Sequence, residues 1–247
     1  MTHETATIAR FDENGPEGTG MTEWDPIDPA GLVTGEPVQR GHVYYEQEND
    51  GYLTGVWDCT AQTEKMAPYG VDEFMLILEG TLVMAMPDGT EVTIAPGAAF
   101  LIPKGFQCQW KQPGYLRKFF VILDGPVPED AENPSLQRIT VPELEHGAPR
   151  AEGAIMSDQV HFLNAAGTLK VGISEWSETR ILSMPVFSNQ LVHVLAGRLT
   201  LTGSGGEQVL EQGDTAHIRA GGRMGWQTAD STRLLYCNHF SPEPGDA

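Results

Sequence analysis

The sequence has few basic residues and few cysteines. Lys and Arg number 15 against 34 Asp and Glu, for a formal net charge of -19. A surface of this charge repels phosphate backbones and anionic lipids, so we expect no nucleic-acid partner and no membrane partner. The three cysteines, Cys59, Cys108 and Cys237, lie far apart without a CxxC pair. This pattern is typical of reduced thiols in a cytoplasmic protein.

Long apolar runs and a sustained helical period are also absent. No stretch approaches the roughly 20 apolar residues of a membrane-spanning helix. The N-terminus has no charged start followed by an apolar run, the pattern of a secretory signal, so we expect a soluble cytoplasmic protein. Gly and Pro are abundant, at 28 and 17 residues. Short apolar or alternating runs between turn residues predict many strands in a sandwich or barrel.

The two halves of the chain can be superimposed in sequence. Five pairs of residues recur at almost constant separation, two pairs 117 residues apart and three pairs 116 apart: Gly55 with Gly172, Gly80 with Gly197, Gly97 with Gly213, Gly105 with Gly221, and Trp110 with Trp226. A single-residue length change in a hairpin accounts for the difference. The spacing predicts two copies of one small β fold.

Segments of different composition precede and separate these copies. Residues 1–40 are rich in Glu, Asp, Pro and Gly, which predicts an exposed acidic arm. Residues 125–159 contain five prolines and predict a linker, with a short helical turn around Pro142–His146. The first copy is therefore expected at residues 41–124 and the second at residues 160–247.

Two motifs of the first copy are similar to those of cupins, Glu73-Phe-Met-Leu-Ile-Leu-Glu-Gly80 and Gly97-Ala-Ala-Phe-Leu-Ile-Pro103-Lys-Gly105. Together with Arg117-Lys118-Phe-Phe-Val-Ile122, they make this copy resemble the cupins related to ureidoglycine aminohydrolase and to the ethanolamine-utilisation Q protein. The second copy resembles a cupin through its glycines and Trp226. The resemblance implies an all-β fold, a tandem repeat of the double-stranded β-helix or jelly-roll barrel (a bicupin), with its site inside a barrel.

The resemblance also implies a divalent metal, for which most ligands are missing. Metal cupins supply two His two residues apart, a Glu five residues further on and a later His. Glu73 occupies the Glu position, but Met66 and Pro68 stand at the first two places and Cys108 at the last. In the second copy the four places hold Ser183, Pro185, Gln190 and Met224. We expect no cofactor, with a weak divalent metal at Glu73 and Gln107 as the alternative.

Glu73 is the candidate catalytic residue of the first copy. A carboxylate inside a barrel is desolvated, which raises its pKa toward values useful for general acid–base catalysis. Tyr69 and Gln107 are candidates for orienting a polar ligand, and Cys108 and Trp110 for lining its site. The alternatives are a Glu73 satisfied by Tyr69 or water, a Cys108 that is a small buried hydrophobe and a Trp110 that only packs.

The second copy provides weaker candidates for ligand-binding residues. Gln190 takes the place of Glu73, and Arg219 and Arg223 replace Pro103 and Gln107 near the expected barrel mouth. Arginine binds carboxylates through two hydrogen bonds, so this pair predicts an anionic ligand, with simple salt bridging as the alternative. Lys118, beside Arg117 at the start of a predicted strand, is expected on the surface.

These residues lead to three hypotheses for function. The first is an enzyme that acts on a small polar metabolite bearing an amino or carboxylate group, without the usual cupin metal. The second is a non-catalytic ligand-binding or sensing bicupin, and the third is a weak-metal enzyme similar to the aminohydrolases. Exposed barrel edges also predict self-association into a homodimer.

Overall fold

The computed structural model describes residues 4–128, 134–139 and 155–241. They form 23 strands, β1 to β23 in chain order, and three 3-10 helices at Pro16–Gly18, Pro29–Gly31 and Glu48–Asp50. Across these residues, no helix is both long enough and apolar enough to cross a membrane. The chain divides into two compact units, which we call the first unit (residues 12–139) and the second unit (residues 1–11 with 140–247).

The first unit contains two antiparallel sheets. Its strands are β2 (Thr22–Glu23), β3 (Leu32–Thr34), β4 (Gln39–Gln47), β5 (Tyr52–Cys59), β6 (Gln62–Glu64), β7 (Ala67–Pro68), β8 (Asp72–Glu79), β9 (Leu82–Ala85), β10 (Glu91–Ile94), β11 (Ala99–Ile102), β12 (Gln107–Gln112), β13 (Leu116–Leu123) and β14 (Gln137–Ile139). One sheet has the order β14-β11-β8-β13-β5-β4-β2, and the other β10-β9-β12-β6-β3, with β7 also paired to β12.

The second unit repeats this arrangement. Its strands are β1 (Ile8–Arg10), β15 (Ile155–Leu163), β16 (Leu169–Trp176), β17 (Thr179–Pro185), β18 (Asn189–Ala196), β19 (Arg198–Gly203), β20 (Gly206–Glu211), β21 (Thr215–Ile218), β22 (Arg223–Thr228) and β23 (Thr232–His239). The sheet orders are β1-β21-β18-β23-β16-β15 and β17-β22-β19-β20. The predicted all-β fold of two jelly-roll barrels is confirmed.

The glycines used to align the halves occupy equivalent turns. Gly80 and Gly197 each follow an inner strand, β8 and β18, with φ of 83° and 79°. A Cβ on Gly80 would lie 2.0 Å from the carbonyl oxygen of Tyr115. Both the left-handed φ and the close backbone approach therefore require glycine at this turn.

The N-terminal segment differs from the predicted arm. Strand β1 pairs with β21 of the second unit, and Ala6 and Ile8 are buried in that unit's core. Strands β2 and β3 join the sheets of the first unit. The prediction of an arm is therefore wrong for these strands, although most of residues 4–40 are exposed. The physical reason is that the open edge of β21 offers unpaired backbone groups, which even a short strand can satisfy.

The predicted linker over residues 125–159 also contains strands. Gln137–Ile139 pairs with β11 at the edge of the first unit, the position that β1 takes beside β21 in the second. Strand β15 begins at Ile155, before the expected start of the second copy at residue 160. The helical turn predicted around Pro142–His146 lies outside the described residues.

Candidate functional site

A buried ion pair lies inside the first unit. Glu73 on β8 and Lys118 on β13 have side chains that are 5% and 7% exposed, and Lys118 Nζ lies 2.8 Å from Glu73 Oε1. Alternation along β13 places Lys118 on the same face as Phe120, which packs in the core of this unit. Lys118 is therefore an interior residue, and the expectation that it lies on the surface is wrong.

Aromatic rings surround the ammonium group of Lys118. Its Nζ lies 4.6 Å from the ring centroid of Trp57 and 4.7 Å from that of Trp110. It also lies 3.3 Å from the Sδ atom of Met75. The electron-rich faces of the two indoles attract a desolvated cation, so they compensate for part of the hydration that Lys118 has lost.

The second carboxylate oxygen of Glu73 accepts a hydrogen bond from the hydroxyl of Tyr69. Burial, and then the nearby charge of Glu73, raise the pKa of Tyr69 well above its usual value, so this hydroxyl keeps its proton. Both oxygens of Glu73 consequently have partners. A substrate that uses Glu73 as an acid or base must displace Tyr69 or Lys118.

The remaining candidates of the first unit have separate environments. Cys108 is buried, and burial followed by the charge of Glu64 raises the pKa of its thiol to about 11. This thiol is protonated at neutral pH, which argues against a nucleophilic role. The indole N–H of Trp110 donates to Gln112 Oε1 at 3.1 Å. Gln107 is exposed and pairs with Pro68 at the end of β12.

These residues do not fit the divalent metal that the cupin fold implies. Among the residues that the structure describes, no group of three or more His, Cys, Asp or Glu side chains is placed to hold a metal ion. In the first unit the ammonium of Lys118 already lies against the carboxylate of Glu73. A divalent cation bound to Glu73 would be repelled by this charge at short range.

The second unit contains a cavity of about 140 Å³ inside its barrel. Its wall includes two side-chain amides, Gln190 of β18 and Asn238 of β23, which face each other across neighbouring strands. Trp176 and Trp226 contribute aromatic surface, with ring centroids 5.1 Å apart. Gln190, the counterpart of Glu73, is thus the predicted site residue that lines a cavity.

Side-chain size accounts for the open space at this position of the second unit. Three side chains that meet inside the first unit have smaller or shorter counterparts in the second. The pairs are Trp57 and Ser174, Met75 and Val192, and Lys118 and Leu234, which are 117, 117 and 116 residues apart. The replacements all line the cavity. Strand pairing confirms the equivalence, because Leu234 lies opposite Ser174 as Lys118 lies opposite Trp57.

Two polar atoms of the cavity-lining residues lack hydrogen-bond partners. They are Nε1 of Trp226 and Oδ1 of Asn238, both buried and without a partner among the described residues. In the first unit Gln112 accepts the equivalent indole N–H. Thr228 stands at that position in the second unit, and its hydroxyl donates to the carbonyl of Ser177 at 2.8 Å. Because buried polar groups are normally hydrogen-bonded, both atoms would be stabilised by a partner that the described residues do not supply.

Charged groups at the cavity are paired with each other. Lys170 Nζ lies 3.1 Å from Asp158 Oδ2, and the hydroxyl of Tyr236 donates to Asp158 Oδ1 at 2.6 Å. Burial is the main cause that raises the pKa of Tyr236, and its hydrogen bond to Asp158 adds to it. The cavity wall therefore has one negative and one positive side chain, in contact.

Comparison with known proteins agrees with this architecture. Residues 46–120 match the family model of the EutQ-like cupin domain. The chain carries a cupin domain. No curated protein sequence matches the chain.

Solved structures with low sequence identity share the fold of this chain. A protein of unknown function of the DUF861 family from Pseudomonas syringae pv. tomato is 18% identical, with a TM-score of 0.72 over 94% of this chain and 99% of that one. Ylba from E. coli, also of the DUF861 family, is 11% identical, with a TM-score of 0.59 over 95% of each chain. A cupin 2 conserved barrel domain protein from Leptotrichia buccalis is 14% identical, with a TM-score of 0.58 over 90% of this chain and 98% of that one.

Arg219 and Arg223, the two arginines predicted to bind a ligand, do not line the cavity of the second unit. Arg223 Nε donates to Ser183 Oγ at 2.7 Å, and Arg223 Nη2 donates to the Ser183 carbonyl at 2.9 Å. Arg219 is exposed, and its backbone N–H donates to the carbonyl of Thr7 at 3.0 Å. The structure therefore separates both guanidinium groups from the amides that line the cavity.

Breaking the buried ion pair of the first unit measures its contribution to the free energy of unfolding. Lys118→Met leaves Glu73 buried without its counter-charge, so we expect the free energy of unfolding to fall by about 3–5 kcal/mol. The double variant Glu73→Gln with Lys118→Met removes both charges and should regain most of this loss. Urea denaturation of the wild type, the single variant and the double variant measures both the loss and the recovery of stability.

Lys104→Met is the matched control, because it breaks the more exposed pair between Lys104 and Asp124. Its effect should stay below about 1 kcal/mol. A Lys118→Met protein as stable as Lys104→Met would contradict a buried, tightly coupled pair.

Proposed function

We propose that this cupin binds a small organic molecule in the cavity of the second unit. The observation that carries the proposal is the contrast between the units: Trp57, Met75 and Lys118 fill the barrel position that Ser174, Val192 and Leu234 leave open. The proposal moves the expected ligand site from the first copy to the second.

The groups around the cavity favour binding over chemistry. The carboxylate in its wall, Asp158, already accepts from Tyr236 and pairs with Lys170. The wall also carries two amides, an indole N–H and the hydroxyl of Ser174, which accepts from Trp176 at 2.9 Å. These groups orient a ligand well and are poor acids and bases at neutral pH. The sensing or ligand-binding hypothesis is therefore the better supported one.

Filling the cavity with the side chains that the first unit uses tests the proposal. Ser174→Trp combined with Val192→Met introduces the residues found at Trp57 and Met75 and should reduce binding at least tenfold, because the larger side chains occupy the ligand's space. A library of fragments with about five to eight non-hydrogen atoms, screened by ligand-observed NMR, gives the hits whose affinities are compared. Circular dichroism checks that the variant keeps its sheets.

The matched control is Val209→Trp, which adds a side chain of the same bulk at an exposed position of β20 in the second unit. It should bind fragments as the wild type does. Equal binding by the double variant, or the absence of any hit for the wild type, would contradict a ligand site in this cavity.

A second candidate function is acid–base catalysis by Glu73 in the first unit, on a small metabolite bearing an amino or carboxylate group. The observation that favours it is the buried chain from the Tyr69 hydroxyl through Glu73 to Lys118, three titratable groups in contact. Such clusters are common in active sites and also occur as purely structural networks. Gln107 is not among the partners of Glu73, so the weak-metal alternative has less support.

Glu73→Gln separates the catalytic role from the structural one, since the amide keeps the shape and an acceptor for Lys118. If Glu73 is the acid or base, any protein-dependent turnover found by NMR in a panel of small amino and carboxylic acids should fall by about 10²–10⁴-fold. The wild-type rate in a folded Glu73→Gln protein would remove Glu73 from this role.

A further inference from the structure

The chemistry of the cavity wall indicates the class of its ligand. We infer that the second unit takes an uncharged molecule about the size of a benzene ring, with a hydrogen-bond donor next to an acceptor, as in a small lactam or carboxamide. This inference rests on the proposed function, that the cavity is a binding site. It narrows the ligand from any small polar metabolite to one electrically neutral class.

The volume sets the size of the ligand. The cavity measures about 140 Å³. An engineered protein cavity of about 150 Å³ accommodates benzene. A ligand of roughly six non-hydrogen atoms therefore fits within the cavity, whereas a nucleotide or a sugar phosphate is too large to be enclosed.

The charge balance of the wall disfavours an ion. Asp158 and Lys170 are the charged residues that line the cavity, and they lie in contact with each other. Arg219 and Arg223 are not in its wall. An anion or cation bound here would have to compete with this existing pair for its counter-charge. The carboxylate ligand predicted from the two arginines is therefore disfavoured at this cavity.

The two amides of the cavity wall can pair with a ligand that carries both a hydrogen-bond donor and an acceptor. A side-chain amide carries both N–H donors and a carbonyl acceptor, and Gln190 and Asn238 stand side by side on paired strands. Oδ1 of Asn238 lacks a donor and Nε1 of Trp226 lacks an acceptor among the described residues. A lactam offers both missing groups, because its N–H donates while its carbonyl oxygen accepts.

The rest of the cavity wall is apolar and can contact the apolar part of a small ligand. Trp176 and Trp226 present rings tilted by 43° to one another. Val192 and Leu234 line the cavity with aliphatic groups. The ring methylenes of a lactam would lose water against these surfaces, which is favourable, while its polar edge meets the amides.

A set of probes of nearly equal size tests this inference. The probes are 2-pyrrolidone, cyclopentanone, which lacks the donor, and butyrate, which is an anion. The readout is the indole N–H resonance of Trp226 in a ¹⁵N–¹H spectrum, assigned with Trp226→Phe among the five tryptophans of the chain. We expect 2-pyrrolidone to shift it at a concentration at least tenfold lower than the other probes. Asn238→Leu should abolish the preference over cyclopentanone.

The outcomes separate the ligand class from the proposed function. If butyrate binds most tightly, or cyclopentanone binds as well as 2-pyrrolidone, the neutral donor–acceptor class is wrong while the cavity stays a binding site. If no probe shifts the resonance but library fragments bind and are excluded by Ser174→Trp with Val192→Met, the class is again wrong. If no fragment binds at all, the proposed function fails with it.

Discussion

The buried contact between Lys118 and Glu73 determines how the interior of the first unit is organised. An ammonium group without water requires a carboxylate and favours aromatic faces, and Glu73, Trp57 and Trp110 supply them. The same contact places a fixed positive charge where the fold implies a metal, so the donor set no longer fits one. The first unit thus has its own internal cation, held by Glu73 and by two aromatic rings.

The second unit shows what the same backbone becomes without that lysine. Leu234 needs no counter-charge, so the place of Glu73 is free to hold the neutral Gln190, and the place of Trp57 the small Ser174. The order of the paired strands is retained, while the size of the inward side chains changes. Function in this chain therefore depends on the side chains at a few inward positions of β16, β18 and β23, and the shared frame is compatible with either a filled or an open barrel.

Much of the fold could be predicted because it depends on local rules. Glycines at turns and short alternating strands are visible in the sequence, and their recurrence at 116 and 117 residues predicted the duplication. The strand Ile8–Arg10 was missed because its partner, β21, lies about 200 residues away and nothing local indicates the pairing. Lys118 was missed because a lysine beside an arginine usually lies at a surface, and only the register with Glu73 and Trp57 shows that it points inward.

The position of Gln190 followed from alignment with Glu73, but the cavity beside it depends on the summed volumes of side chains from three strands, which no single motif reports.

A crystal structure of the protein purified without added ligand or chelator tests the central claim most directly. We expect density for a small molecule or ordered water between Gln190 and Asn238, and direct contact of Lys118 with Glu73 in the first unit. A collapsed second barrel, or a molecule or metal between Lys118 and Glu73, would contradict the account.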